Sequence, residues 1–151
     1  MTELLNTALV LTPEASSKNL YFSFYVPKGC SRLTIEYAYS PKMLNDEQTV
    51  ADYYTKGIER YASSPEWTAE DIEKERGNTL SNLVTLSLDG PMGYVGAAHR
   101  HAPQQTHLID GEQTTPGFEP VAVQPGLWRI GLNVHAVVTP ICTATIIVKG
   151  E

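Results

Sequence analysis

Four histidines carry most of the chemistry this sequence offers. His99 and His101 are separated by one residue, so on a strand both imidazoles project to the same face. His107 follows a turn that contains Pro103, and His135 lies on a separate segment. Imidazole suits zinc and copper, and His-x-His on a strand is a workable ligand geometry. His99, His101 and His107 are therefore the candidate metal set, with zinc the implied ion. A complete site needs three or four converging ligands, and Asp110, downstream of the set, is the nearest carboxylate. The competing reading is that these are hairpin histidines bonded to backbone or packed at a rim, with no cofactor.

Other reactive groups give weaker signals. Cys142 falls on the apolar face of a terminal strand, where a thiol is an inert hydrophobe. Cys30 follows a Pro-Lys-Gly turn with no evident group to lower its pKa. A Cys30–Cys142 disulfide remains an alternative. No serine sits in a Gly-x-Ser-x-Gly elbow. Asp46, Glu47, Glu70, Asp71, Glu73 and Glu75 could supply paired carboxylates, but they read as the wetted surface of helices. Gly90, Gly93 and Gly96 lack the following helix that a phosphate-binding loop requires, and read as turn and close-packing glycines. Aromatics suggest binding. Tyr21 and Tyr25 share the outward face of one strand, and with Arg129, Asn133 and His135 they form the candidate ligand surface for a carbohydrate or another small polar molecule. Tyr39, Tyr53, Tyr54, Tyr61 and Tyr94 are available to extend it. The plainer and favoured reading packs inserted helices onto these tyrosines.

The elements that must position these residues are strands. Leu4–Leu11, Asn19–Val26, Arg32–Tyr39, Ser81–Asp89, Gly93–His101, Gln105–Asp110, Gly126–Val137 and Ile141–Lys149 alternate apolar and polar residues between Gly and Pro turns. Val84, Leu86 and Leu88 face in, as do Trp128, Ile130, Leu132, Val134 and Ala136, and Cys142, Ala144, Ile146 and Val148. A slip by one residue would reverse each set, so burial specifies the register. Residues 45–77 change period: Val50, Tyr54, Ile58 and Tyr61 make a helical stripe. Asp46 is the expected N-cap. Ser64-Pro65, or Thr68 ahead of Asp71, marks a second helix start, and Gly77 a stop. The expected fold is mostly β. It is one domain over 1–151, an antiparallel β-sandwich of jelly-roll-like or immunoglobulin-like layout, with a two-helix insertion between strands three and four.

Composition narrows the partners. With 151 residues, 42% of them hydrophobic, the chain can bury a real core. A net charge of −6 argues against nucleic acid and anionic membranes, which reward Lys and Arg clusters. No run of about twenty apolar residues occurs. The start, Met1–Val10, has no basic region and carries Glu3, so it reads as neither a secretory signal nor a transit peptide, and two thiols in that context favour a reducing, cytoplasmic setting.

Several segments resemble one family. They are Tyr21–Gly29, Asn82–Asp89, Gly93–Pro103, Thr115-Pro116-Gly117-Phe118, Gln124–Trp128 and Asn133–Thr139. In order and spacing they resemble the β-sandwich domain that precedes the catalytic domain in PHP-type metallohydrolases of the carbaryl-hydrolase-like group. The resemblance spans roughly residues 19–148. It implies a sandwich with a helical insert and no catalytic residues, because the family's metal ligands lie in the separate PHP domain. His99-Arg100-His101 only mimics that domain's His-x-His. The function implied is a non-catalytic accessory or protein-interaction module, PHP-associated or homo-oligomeric, rather than an enzyme. The alternatives are the small-molecule or carbohydrate module and the metal-binding protein described above.

Overall fold

Alternating side chains force a two-layer solution, because each pleated strand has one apolar face to cover. The structure, a computed structural model, describes residues 1–44, 46–61 and 80–151. The strands are β1 (Thr2–Leu11), β2 (Lys18–Val26), β3 (Leu33–Ser40), β4 (Leu83–Gly90), β5 (Gly93–Ala98), β6 (Gln104–Ile109), β7 (Gly126–Ala136) and β8 (Cys142–Gly150). They form two four-stranded antiparallel sheets, ordered β1-β8-β3-β6 and β2-β7-β4-β5. Leu33, Ile35, Ile146 and Val148 of the first sheet, and Leu86, Leu88, Ile130 and Leu132 of the second, are fully buried in one core. Trp128 closes one end of it. Its indole donates to the carbonyl of Gln124 at 2.9 Å, and its ring lies so close to Gly90 that a Cβ there would meet it at 3.2 Å. No helix among the described residues is long and apolar enough to cross a membrane.

The inside and outside assignments hold with two informative exceptions. Ala136 is only half-buried at the end of β7, and Thr85 is outward-facing yet 2% exposed. Neighbouring imidazoles cover Thr85. Cys30 and Cys142 are both free. They sit near opposite ends of β8: Cys142 opens the strand, and the Cys30 sulfur lies against Gly150, which closes it. No disulfide joins them. Burial raises the thiol pKa of Cys142, consistent with an unreactive core residue.

The insertion corrects one expectation. Among the described residues it holds one helix, α1 (Glu47–Tyr61), rather than two. Asp46 caps it: its carboxylate accepts from the Gln48 amide at 3.2 Å and the Thr49 hydroxyl at 2.5 Å, and these bonds, Thr49 first, lower the Asp46 pKa. The second helix, expected between Ser64 and Gly77, lies outside the described residues, as do Glu70, Asp71, Glu73 and Glu75. It rested on start and stop signals without an apolar stripe of its own. The stripe of Val50 and Tyr54 belongs to α1.

The insertion joins the sandwich through a closed neck. The Leu44 amide donates to the Leu80 carbonyl, Met43 bridges Ser81, and the Asn82 amide donates to the Lys42 carbonyl. Asn82, fully buried, then ties the neck to the turn after β7. Its Nδ2 donates to the Pro41 carbonyl and the Thr139 hydroxyl, at 2.9 and 2.8 Å. Its Oδ1 accepts from the amides of Val138 and Thr139, at 2.7 and 3.4 Å. Its carbonyl accepts from Lys42 Nζ at 2.7 Å.

Two outcomes follow from this neck. Asn82→Ala strands buried amides and carbonyls and should cost about 2–4 kcal/mol in denaturant unfolding. Replacing residues 46–79 by a short Gly-Asn turn should leave the sandwich folded and raise its stability by up to about 2 kcal/mol, because the neck already pairs Leu44 with Leu80 and closing the shorter loop costs less entropy.

Candidate functional site

The outer face of the sheet β2-β7-β4-β5 gathers most of the candidate residues. Register places them in rows across the strands. Tyr25 lies opposite Leu127. Ser23, Arg129, Asp89 and Tyr94 share the next row, Tyr21, Gly131, Ser87 and Ala97 the next, and Asn19, Asn133 and Thr85 the last. All five residues of the candidate ligand surface, Tyr21, Tyr25, Arg129, Asn133 and His135, therefore lie on one face. The period-two pattern of β2 and β7 is sufficient to put them there.

The middle of this face is a fixed platform. Gly131 has no side chain, and the Ser87 hydroxyl and the Tyr21 ring occupy the space: a Cβ on Gly131 would meet Ser87 Oγ at 2.5 Å and the ring at 3.2 Å. The Arg129 guanidinium lies 4.2 Å from the Tyr21 ring centre, a cation–π contact. Its Nε and Nη2 both donate to Asp89 Oδ2, at 3.0 and 2.8 Å. Arg129 is thus held on two sides and is not a loose cation awaiting a ligand.

The two ends of the face differ. At the Trp128 end stand exposed apolar groups: Tyr25 at 62%, Leu127 at 63%, Tyr94 at 69% and Met92 at 86%. Pro91 packs beside Gly126, so the β4–β5 turn lies against the start of β7. A groove of about 380 Å³ runs alongside, between that turn and Val121, Ala122 and Gln124, with Trp128 in its wall. Packing of the insertion onto these tyrosines, the favoured expectation, is not what the described residues show: Tyr21, Tyr25 and Tyr94 are all exposed. Tyr39 does not join them. It is 3% exposed on the inner side, with its hydroxyl against the Asn82 and His101 carbonyls.

At the other end are imidazoles. The Thr85 hydroxyl lies 2.9 Å from His135 Nε2 and 3.4 Å from His99 Nδ1, and the two rings meet edge-on. Sequence reasoning separated these two histidines, because their chain positions are 36 apart and only the β5-β4-β7 order brings them over one residue.

The candidate metal trio is not brought together. His99 leans over Thr85 on the outer face, and His101 is exposed in the β5–β6 connection. His107 is fully buried on the inner face of β6, packed 5.2 Å from the Phe118 ring. No group of three or more His, Cys, Asp or Glu that could hold a metal occurs among the described residues. His107 instead serves the core. Gln105 donates through Nε2 to the Ala102 carbonyl at 2.8 Å, which leaves its Oε1, 2.9 Å away, to accept from His107 Nε2–H. The proton is then on Nε2, and Nδ1 is a buried lone pair without a partner. Burial, with a smaller contribution from Arg100, lowers the His107 pKa to about 4.

No family model matches this chain, and no curated protein matches it.

The buried imidazole makes acid stability predictable. The folded pKa is about 4 and the free value 6.5, so below pH 6.5 the unfolded chain binds a proton that the folded chain refuses. This contribution is fully present at pH 7, declines as pH falls, and is lost by about pH 4. It amounts to roughly 3 kcal/mol. His107→Leu should flatten the unfolding free energy between pH 6.5 and 4 relative to the parent. Urea titrations across that range measure it.

Proposed function

We propose that this chain is a non-catalytic accessory module of jelly-roll connectivity that docks a protein partner through the outer face of β2-β7-β4-β5. The strand orders β1-β8-β3-β6 and β2-β7-β4-β5 match an eight-stranded jelly roll, in which successive strands mostly alternate between sheets. One observation carries the functional reading. Tyr25, Leu127, Met92 and Tyr94 all stand exposed at the Trp128 end of this face, and Met92 and Tyr94 line a groove walled by Trp128. Tyr, Met and Arg are the residues enriched where proteins meet, and an aromatic rim beside a groove is the usual form of an interface anchor. The partner class is the one the family resemblance implies, a PHP-type metallohydrolase domain. A cytoplasmic setting fits both the two free thiols and that partner.

The carbohydrate alternative draws on the same face but fits it less well. Sugar recognition needs free polar groups around an open ring, whereas Arg129 is engaged by Asp89 and Tyr21.

Calorimetric titration of the full chain against a purified PHP-type catalytic domain tests the reading. Saturable binding is expected, weakened at least about tenfold by Leu127→Glu and by Tyr94→Ser. No saturable binding, or binding that neither variant affects, overturns it. Self-association abolished by the same changes would identify a second copy as the occupant and overturn the partner assignment.

A further inference from the structure

We propose that two copies of this chain associate by pairing their β1 edges antiparallel about a two-fold axis at Ala8, joining their β1-β8-β3-β6 sheets into one. The inference is independent of the partner reading, since β1 belongs to the sheet that does not carry the docking face.

The hydrogen-bond pattern fixes which groups of β1 are free. The Arg32 amide donates to the Glu151 carbonyl at 3.2 Å, and the Glu151 amide donates back to the Arg32 carbonyl at 3.0 Å. Backbone groups alternate sides along a strand, and the β3–β8 register continues unbroken from this pair. Thr143, Thr145, Ile147 and Lys149 therefore bond β3, while Cys142, Ala144, Ile146 and Val148 bond β1. Their partners on β1 are Leu11, Leu9, Thr7 and Leu5. The N–H and C=O groups of Asn6, Ala8 and Val10 point the other way, off the edge of the sheet. Among the described residues nothing bonds them.

The two sides of the sandwich are finished differently. On the β5–β6 side, residues 115–119 tie both edges. The Thr115 amide donates to the Leu108 carbonyl at 2.8 Å, the Ala97 amide to the Gly117 carbonyl at 3.1 Å, and the Glu119 amide to the Val95 carbonyl at 2.8 Å. Phe118 is buried there. On the β1–β2 side no such tie occurs among the described residues, and the inward-facing Leu5, Leu9, Leu20 and Phe22 are only half-buried. A bare edge rimmed with apolar side chains is a template for another strand.

The sequence of β1 suits a second copy of itself. A two-fold axis at Ala8 sets Ala8 opposite Ala8 and Asn6 opposite Val10, so every free residue finds a partner that exchanges both backbone bonds. The facing side chains on the outer surface are short and uncharged, and the exposed Val10 packs on Asn6 of the second copy. On the inner side Leu9 meets Thr7, and Leu5 meets Leu11. Glu3, the one charged residue of β1, falls opposite Pro13, so no like charges oppose each other. The bulge between Glu3 and Leu5 lies beyond the paired stretch. The same alternation, counted from the Ala97 amide, frees Tyr21 and Ser23 on β2, which is the competing edge.

Sedimentation of the full chain over a concentration series, with amide hydrogen exchange at both ends of it, is the test. A monomer–dimer equilibrium is expected. Exchange at Asn6, Ala8 and Val10 should slow at least about tenfold in the dimer, with Leu5, Thr7 and Leu9 protected at every concentration. Ala8→Pro removes the donor at the axis and is tolerated on an open edge, so it should weaken dimerisation at least about tenfold while the monomer stays folded. Val10→Lys, an outward change that leaves the backbone alone, should weaken it in the same direction and decides the matter if the proline variant unfolds. A chain still monomeric at about 1 mM overturns the proposal. So does a dimer that Val10→Lys and Ala8→Pro both leave intact, or one lost in Ser23→Pro alone, which would place the contact on β2. A dimer lost only through Leu127→Glu would place it on the docking face and overturn the β1 assignment.

Discussion

A single buried amide governs how this fold can carry an insertion and still keep a flat, ordered face. Asn82 satisfies both its amide hydrogens and its carbonyl oxygen inside the protein, spanning the end of β3 and the turn between β7 and β8. Each of these groups would be costly to leave unpaired in the interior. Because they are all paired, the position of Asn82 is determined, and β4 begins one residue later. Every outward residue of β4 is then placed by counting in twos: Thr85 under the imidazoles, Ser87 beside Gly131, Asp89 against Arg129. The insertion leaves and returns through paired backbone, so its contents do not disturb that register.

The outer face built on this register combines rigidity with exposure. Arg129 and Asp89 form an exposed ion pair, which contributes little to stability, below about 1 kcal/mol. Its value is positional. It holds the guanidinium over Tyr21, and Tyr21 in turn fills the hollow above Gly131. The platform separates two ends of unlike chemistry, an apolar rim beside Trp128 and a pair of imidazoles over Thr85.

Much of the architecture was legible because strands advertise themselves by alternation. All eight were visible, with boundaries within a few residues, since Val84, Leu86, Leu88 and Trp128, Ile130, Leu132 each form an unbroken apolar series. The placing of Tyr21, Tyr25, Arg129, Asn133 and His135 on one face was legible for the same reason. The errors arose where residue type was read ahead of alternation. His107 looks like a companion of His99 and His101, but its position opposite Ile35 turns it into the core. Tyr39 resembles the surface tyrosines in type and not in facing. Thr85, Gln105 and Asn82 gave no chemical signal, since their importance lies in what other strands bring to them.

The chain alone determined which residues lie on which face of each strand, because pleating makes that a property of neighbours two apart, and it determined that two sheets must close over the apolar faces. Only the tertiary structure decided which strands are adjacent, because strand order depends on how long connections cross between sheets and leaves no local trace. That decision brings His135 and His99 together over Thr85, leaves His107 alone in the interior, and exposes the tyrosines that the insertion was expected to cover. Face is a local quantity and adjacency is a global one, and the chemistry of this protein lies in the second.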